Sequence, residues 1–388
     1  MKRSLLVVFY GDIQGYPPTI NMVNFLMSKG VEITILCRIC KNPDDIFLQR
    51  PKIIQVSGEI GITEQMNGSP ILKSRLYLKF MLNFCIQRIK NSSDLLLYDS
   101  IAFCYFAISK KIFKKRVIWY HNHDVIEEPN NRFSLQRFFY KIEQNNLKRI
   151  DFLTLPSIER LTYFETKETT FNFFLLPNYP SKFFYQKYAM VKKLDQNYFR
   201  IIFQGSIGEG HGLEEIIPLI GWNNLINKNI QLILKGKISN EYKQKLQAIA
   251  KKNKNDSYLE FHGYSSYQKV PELASTCHLG IAIFTKDDIM NKTLGSASNK
   301  IYEYAAVGLP ILYFDNEHFN KYLGDYKWSL PTKLSKESIL LNIKYAHEHF
   351  DIISPLAFNS FYNEFNFEKM AEKFYLRILD NKKSRILN

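Results

Sequence analysis

The sequence predicts an α/β protein built from two doubly wound, parallel-sheet domains. Three observations carry that expectation. The chain has 388 residues, enough for two domains that each bury a full core. Apolar runs of strand length recur without polar alternation, as strands buried on both faces require, and helical stretches lie between most of them. The series stops at a polar stretch over residues 178–199 and then begins again.

The elements follow in order. "SLLVVFY" is a first strand ended by Gly11 and Asp12, "PTINMVNFLMSKG" a helix stopped at Gly30, and "VEITILC" a second strand. "KIIQV", "DLLLYD", "RVIWYH", "DFLTLP" and "FFLLPN" continue the pattern. "NYPSKFFYQKYAMVKKLDQNYF" is polar, contains a proline and reads as a linker. A second strand series is "RIIFQG", "IQLILKG", "YLEFHG", "LGIAIF" and "PILYF", with helices near residues 212–220, 239–252, 266–275 and 298–307. "FNFEKMAEKFYLRIL" is an amphipathic helix at the end. The expected domains are residues 1–180 and 200–365, joined by 181–199, with 366–388 crossing back to the first domain. Ligands bind beyond the carboxyl ends of strands in open parallel sheets, so both domains are expected to aim their loops at one cleft.

Charge narrows the partners. Lys and Arg number 52 against 37 acids, a formal charge of +15 that favours nucleic acid, an anionic membrane face or a phosphorylated ligand. No nucleic-acid recognition motif is present and the basic residues are spread along the chain, so a nucleic-acid partner is not expected. Five cysteines make no disulfide framework; Cys37 and Cys40 in the lone "CRIC" read as two thiols in a reducing compartment. The apolar run near the start stops after six residues, too short for a signal-peptide core. No segment approaches the about 18–20 apolar residues of a membrane span. The expected location is the cytoplasm, with peripheral contact to the inner membrane face as an option. "ILKSRLYLKFMLNFCIQRIK" supports that option: Arg75, Lys79, Asn83, Gln87 and Lys90 form one polar stripe on an otherwise apolar helix. "RFSLQRFFYKIEQNNLKR" adds a second basic, aromatic stretch. The bland reading of both is a domain helix packed on its sheet.

Several stretches could carry chemistry. In "FQGSIGEGHGLEEI" a strand ends at Gly205, and glycines precede a helix near Leu213. Such loops bring backbone N–H groups to a phosphate, and the helix start adds its dipole. Ser206 and His211 lie in this loop, and His211 could donate to a phosphate oxygen. The spacing is not that of a dinucleotide fingerprint. Lys235 follows the next strand. "GSASNKIYEYAAVGLPIL" sets Gly295, Ser296, Ser298, Asn299 and Lys300 ahead of a helix that carries Glu303. A lysine at a helix start opposes the dipole, a cost that a bound anion would offset. In the first half "WYHNHDVIEEP" crowds His121, His123, Asp124, Glu127 and Glu128 into one loop after a strand. Acid–base work or substrate contact suits that loop better than a metal, since H-x-H-D lacks a further ligand cluster. Lys286 to Asp288 reads as surface.

These motifs resemble the retaining, family 4 glycosyltransferases of the GT-B fold. "SNKIYEYAAVGLPIL" is similar to the family's NK-x-x-EY-x-A-x-G-x-P pattern, and "IIFQGSIGEGHGLEEII", "IQLILKG" and "YLEFHGY" stand in the family's order. "LLPNYP" resembles the usual end of the N-terminal domain, and "YHNHD" matches more loosely. The resemblance implies two Rossmann-like domains facing a cleft and transfer of a sugar from a nucleotide-diphosphate donor with retention, without a metal or a resident cofactor. It implies that Glu303 holds the donor ribose. The stretch from Gly295 to Lys300 would meet the diphosphate and sugar, and His121 or His123 would line the sugar side. A glycan or lipid-linked acceptor in surface polysaccharide synthesis is the expected partner. Three positions depart from the pattern. Gly295 stands where many members carry an acid, Ser206 where they carry Arg, and His211 where they carry Lys, which leaves Lys235 and Lys300 as candidates for the diphosphate charge. Two alternatives share the fold: a nucleotide-sugar 2-epimerase and a binding subunit that does not catalyse.

Overall fold

The computed structural model describes residues 4–57, 69–90, 93–109, 117–125, 128, 135–164, 171–188 and 197–386. Glu127 of the histidine loop and residues 189–196 of the expected linker lie outside them. The chain divides into two compact units, Met1–Pro177 with Met370–Asn388, and Asn178–Lys369.

Unit 1 holds a seven-stranded sheet in the order β3-β2-β1-β4-β5-β6-β7. The strands are β1 (Ser4–Asp12), β2 (Glu32–Ile39), β3 (Lys52–Gln55), β4 (Asp94–Leu97), β5 (Ile118–His121), β6 (Phe152–Leu155) and β7 (Asn172–Leu175). Every neighbouring pair is parallel. The central strands are buried on both faces, which is why their sequences read as unbroken apolar runs. One core layer joins Leu6, Val8, Leu95 and Leu97 of the sheet to Phe80 and Phe84 of the helix Pro70–Lys90 and Phe103 of the helix Ser100–Ser109. The last helix, Phe367–Ile386, adds Phe374, whose ring meets Trp119 at 4.4 Å and Phe174 at 5.0 Å. Cys37 and Cys40 are buried and free.

Unit 2 repeats the plan. Its strands are β8 (Tyr198–Gln204), β9 (Gly221–Asn223), β10 (Lys228–Lys235), β11 (Leu259–Phe261), β12 (Leu279–Ala282), β13 (Ile311–Phe314) and β14 (Ser329–Thr332). The order is β11-β10-β8-β12-β13-β14, all parallel, with β9 antiparallel to β10. Two strands are missing from the sequence reading, and both are short. β9 spans three residues, and β14 contains Pro331, which has no N–H for a ladder and sits on the edge strand where that is tolerated. The helices Lys336–Glu348 and Phe350–Asn363 also escaped it. The stretch expected as a linker opens with the short helix Lys182–Tyr185, whose Phe184 and Tyr185 are buried, with ring contacts to Tyr267 at 5.2 and 6.0 Å.

Candidate functional site

In unit 2 the connections leave β8 and β12 toward opposite sides, so their carboxyl ends flank the crevice where such sheets bind ligands. The glycine loop begins there. Gly205 N donates to Lys235 O at 2.9 Å and Ile207 N to Lys237 O at 2.8 Å, so the ends of β8 and β10 run together past the sheet. That approach requires glycine at 236, where φ is 147° and a Cβ would stand 1.7 Å from Gly205 O. Across the crevice, Thr285 N ties Gly210 O to the end of β12 at 3.0 Å. Gly205 and Ser206 are exposed.

The helix Asn299–Ala306 starts at this end of the sheet. Ser298 caps it, its Oγ accepting from Ile301 N at 3.4 Å, and Gly308 closes it with a bond from its N–H to Ala305 O at 2.8 Å. Tyr304 fixes it to β8: its hydroxyl accepts from Gln204 N at 2.9 Å and donates to Ile202 O at 3.1 Å. Glu303 is thereby held beside Gln204, whose Nε2 donates to Glu303 Oε2 at 2.8 Å. Burial pushes the Glu303 carboxyl up to about 7, against the Tyr185 hydroxyl, the Gln204 amide, Lys300 and Lys235, which favour the ionised form. Lys300 lies with Nζ 3.4 Å from the Phe203 ring centre and 4.8 Å from that of Phe284. Burial pushes its ammonium well below the usual range, and Glu303 pulls the other way.

The other expected donor-side residues are placed as follows. Lys235 is buried, its ammonium donating to the carbonyls of Lys269 at 2.8 Å and Val270 at 3.4 Å. His211 uses Nδ1 on Ile283 O at 3.0 Å, and burial, then the Lys300 charge, lower it to about 4, so it is neutral at pH 7. Gly295 accepts from the Tyr302 hydroxyl at 2.6 Å, and the His318 ring stands 3.0 Å from where a Cβ would project. An acid at 295 would therefore have to displace His318. Ser296 is buried, its Oγ donating to Thr293 O at 3.4 Å, and Asn299 is half-buried at the helix start.

Unit 1 has its own cluster at the carboxyl ends of β1, β4 and β5. Trp119 Nε1 donates to Thr154 Oγ1 at 2.8 Å, and that oxygen lies 2.7 Å from His121 Nδ1. His121 Nε2 is 3.2 Å from His123 Nδ1, and His123 Nε2 is 3.4 Å from Thr19 Oγ1. Tyr98 stacks on His123 with centroids 5.0 Å apart. The two imidazoles thus form one buried chain with hydroxyls at both ends. Burial, then His123 and Arg160, push His121 well below the usual range. Arg160, itself buried, donates to the His123 carbonyl and fixes the turn, while Asp124 is exposed. Asp99 accepts from Tyr10 N at 2.6 Å and Ala102 N at 2.7 Å, and burial raises it to about 6 against those bonds.

Sequence reasoning missed Gln204, Tyr185, Asp99, Thr154 and Arg160. Gln204 was findable as the polar end of an apolar strand beside Gly205, and Asp99 as an acid preceding a helix. Tyr185, Thr154 and Arg160 carry no local signal; packing alone brings them in. Asp287 pairs with Lys292 at 2.5 Å on the surface. Among the described residues no group of three His, Cys, Asp or Glu is placed to hold a metal, and no helix is long and apolar enough to cross a membrane.

No family model and no curated protein matches the sequence. Solved structures do match the fold. A sucrose-phosphate synthase from Thermosynechococcus elongatus superposes with a TM-score of 0.69 at 11% identity, over 99% of this chain and 100% of that one. Anabaena HepE, solved in complex with UDP, gives 0.65 at 13%, over 98% and 100%. A putative UDP-N-acetylglucosamine 2-epimerase from Listeria monocytogenes gives 0.62 at 10%, over 99% and 98%. Together with the two sheet orders, these likenesses define the class: the chain has the GT-B fold, two Rossmann-like units with doubly wound parallel sheets.

Proposed function

We propose that this protein is a retaining, family 4 glycosyltransferase that moves a sugar from a nucleotide-diphosphate donor to a glycan or lipid-linked acceptor. The observation that carries the reading is the placement of Glu303. It is a buried carboxyl in the second turn of a helix whose cap is the neutral Ser298, bonded by Gln204 at the start of the glycine loop and close to Lys300. A carboxylate there accepts hydrogen bonds from the two vicinal hydroxyls of a ribose. Backbone N–H groups of the loop and the start of the helix face the diphosphate. As the glycosidic bond breaks, negative charge grows on the leaving diphosphate, and preorganised N–H groups stabilise it without reorganisation. A diphosphate would also favour the charged form of Lys300 against the burial that lowers it, because an opposite charge at close range stabilises the ammonium. In this scheme the N–H groups and Lys300 meet the leaving charge, and the transfer is metal-independent.

Unit 1 takes the acceptor side in this reading. His121 and His123 share one proton-bonded chain and contact the sugar through its more exposed member, His123. Surface polysaccharide synthesis at the inner membrane face is the setting that joins a basic chain to a lipid-linked acceptor. Residues 1–180 act as acceptor domain and 200–365 as donor domain.

The test is thermal shift with UDP, GDP, ADP and their sugars on the wild type and Glu303→Ala. The HepE complex makes UDP the first nucleotide to try. One diphosphate raises the melting temperature of the wild type and not of the variant; no stabilisation by any nucleotide removes the reading. The likeness to the Listeria protein favours a second reading, a 2-epimerase. Conversion of free UDP-N-acetylglucosamine without acceptor would select it.

A further inference from the structure

We infer that the outer face of the helix Pro70–Lys90 is a docking surface for an anionic lipid bilayer. The inner face of this helix is spent on the core through Leu76, Phe80 and Phe84. The outer face carries a second apolar row: Ile71, Leu78, Leu82, Ile86 and Ile89 are between 43% and 81% exposed. At helical spacing these five fall within one third of the circumference and extend along about 27 Å of helix. An ordinary surface helix packed on a sheet shows polar residues there.

Charge chooses the occupant. The helix contains Lys73, Arg75, Lys79, Arg88 and Lys90 and no acid. Arg75, Lys79 and Lys90 are exposed; at helical spacing Arg75 stands within the apolar row, and Lys79 and Lys90 stand along one side of it. The neighbouring helix Leu135–Asn146 meets this one through Tyr77 and Phe139, centroids 5.9 Å apart, and exposes Phe138. Its basic residues are Lys141 and Arg137, the latter paired with Glu128, and its one acid, Glu143, is buried against Tyr120. A second copy of the chain would meet this face with like charges. An anionic bilayer supplies acyl chains for the leucines and isoleucines and phosphates for the lysines and arginines. The inference rests on the proposed function only in giving the acceptor's location; the docking itself does not depend on donor chemistry.

Flotation of the full chain with phosphatidylglycerol vesicles, against phosphatidylcholine vesicles, tests it. The wild type floats with phosphatidylglycerol and far less with phosphatidylcholine. Leu78→Glu with Leu82→Glu lowers partitioning by roughly a hundredfold, about tenfold per leucine. Arg75→Gln with Lys79→Gln flattens the salt dependence. In Leu82→Trp, brominated lipid quenches the new fluorophore, a reading that needs no destabilising charge. A wild type that stays unbound at low salt, a double-glutamate variant that binds as well as the wild type, or an unquenched Leu82→Trp overturns the inference. So does a dimer in sedimentation that Leu82→Glu dissolves. Flotation together with absence of any nucleotide shift supports docking and overturns the donor chemistry, so the two failures are distinct.

Discussion

The two units share one topology and treat its crevice in opposite ways. Counted in order along each unit, the parallel strands lie 3-2-1-4-5-6 in both, with a seventh on unit 1. In unit 1 the helix after the fourth strand is capped by Asp99, whose carboxylate takes the N–H of Ala102 and of Tyr10. In unit 2 the helix Asn299–Ala306, which follows the fourth strand after two short helices, is capped by the neutral Ser298. The first arrangement puts a negative charge where an anion would sit, and aromatic and imidazole rings fill the rest. The second has a neutral cap with the buried Glu303 carboxyl further along the helix, which the proposed function reads as an anion seat. Topology places the crevice in both units, and under the proposed function the capping residue is what would make it repel or accept a phosphate.

The largest effect should come from breaking the geometry that opens unit 2. Gly236→Ala drives a methyl into Gly205 O and is expected to cost about 4 kcal/mol or more in urea denaturation. Gly30→Ala in unit 1, also at positive φ but with open space around it, should cost about 1 kcal/mol. Next comes Glu303→Ala, which should weaken nucleotide-diphosphate binding by roughly a hundredfold in calorimetry, through loss of two charge-assisted bonds. His123→Ala in unit 1 should leave that binding within about twofold and remove transfer, a split that separates the units' roles.

The raised pKa of Glu303 gives an effect of similar size. Its folded value of about 7 lies above the ordinary 4.5, so folding favours the protonated form. That contribution is complete below the unfolded value and is lost as pH rises through about 7. Relative to Glu303→Gln, the wild type should lose about 2–3 kcal/mol between about pH 5 and pH 8 in the absence of ligand. Asp99 and Glu143, raised to about 6 and about 7, act in the same direction in unit 1, and the comparison with Glu303→Gln removes them. The smallest effect is the sharpest test of the cap. Aspartate caps helices as well as serine, so Ser298→Asp should leave stability within about 0.5 kcal/mol. It should weaken diphosphate binding roughly tenfold by copying unit 1's anionic cap. Equal binding would mean that the phosphate sits elsewhere.

Much of the fold was legible because parallel strands buried on both faces leave unbroken apolar runs, and glycine or proline marks their ends. "RIIFQG" and "IQLILKG" show this within single stretches of chain. β14 was not legible, since its four residues include a proline and owe their pairing to β13. Of the candidate site, the glycine loop, the small polar residues ahead of the helix and Glu303 were visible as local patterns, whereas Ser298 proved to be the cap of a helix expected to begin with it. Their chemistry was not, since it depends on partners far away in sequence. Lys235 reads as a free cation in "ILKGK", yet its ammonium is held by the carbonyls of Lys269 and Val270. His211 reads as a donor in a flexible loop, yet Ile283 holds its Nδ1 and burial keeps it neutral.

Sequence alone was enough for the α/β class, the two-part organisation and the position of the glycine loop ahead of its helix. Each of these follows from local preference: periodicity, caps and turn residues act over a few neighbours. Only the tertiary structure decided protonation and alignment. The Glu303 carboxyl is raised by burial between β8 and Tyr185, His121 is tied to Thr154 of the next strand, and His318 fills the space beside Gly295. Desolvation and hydrogen bonding act through space, so residues distant along the chain set the chemistry of those that carry the motifs.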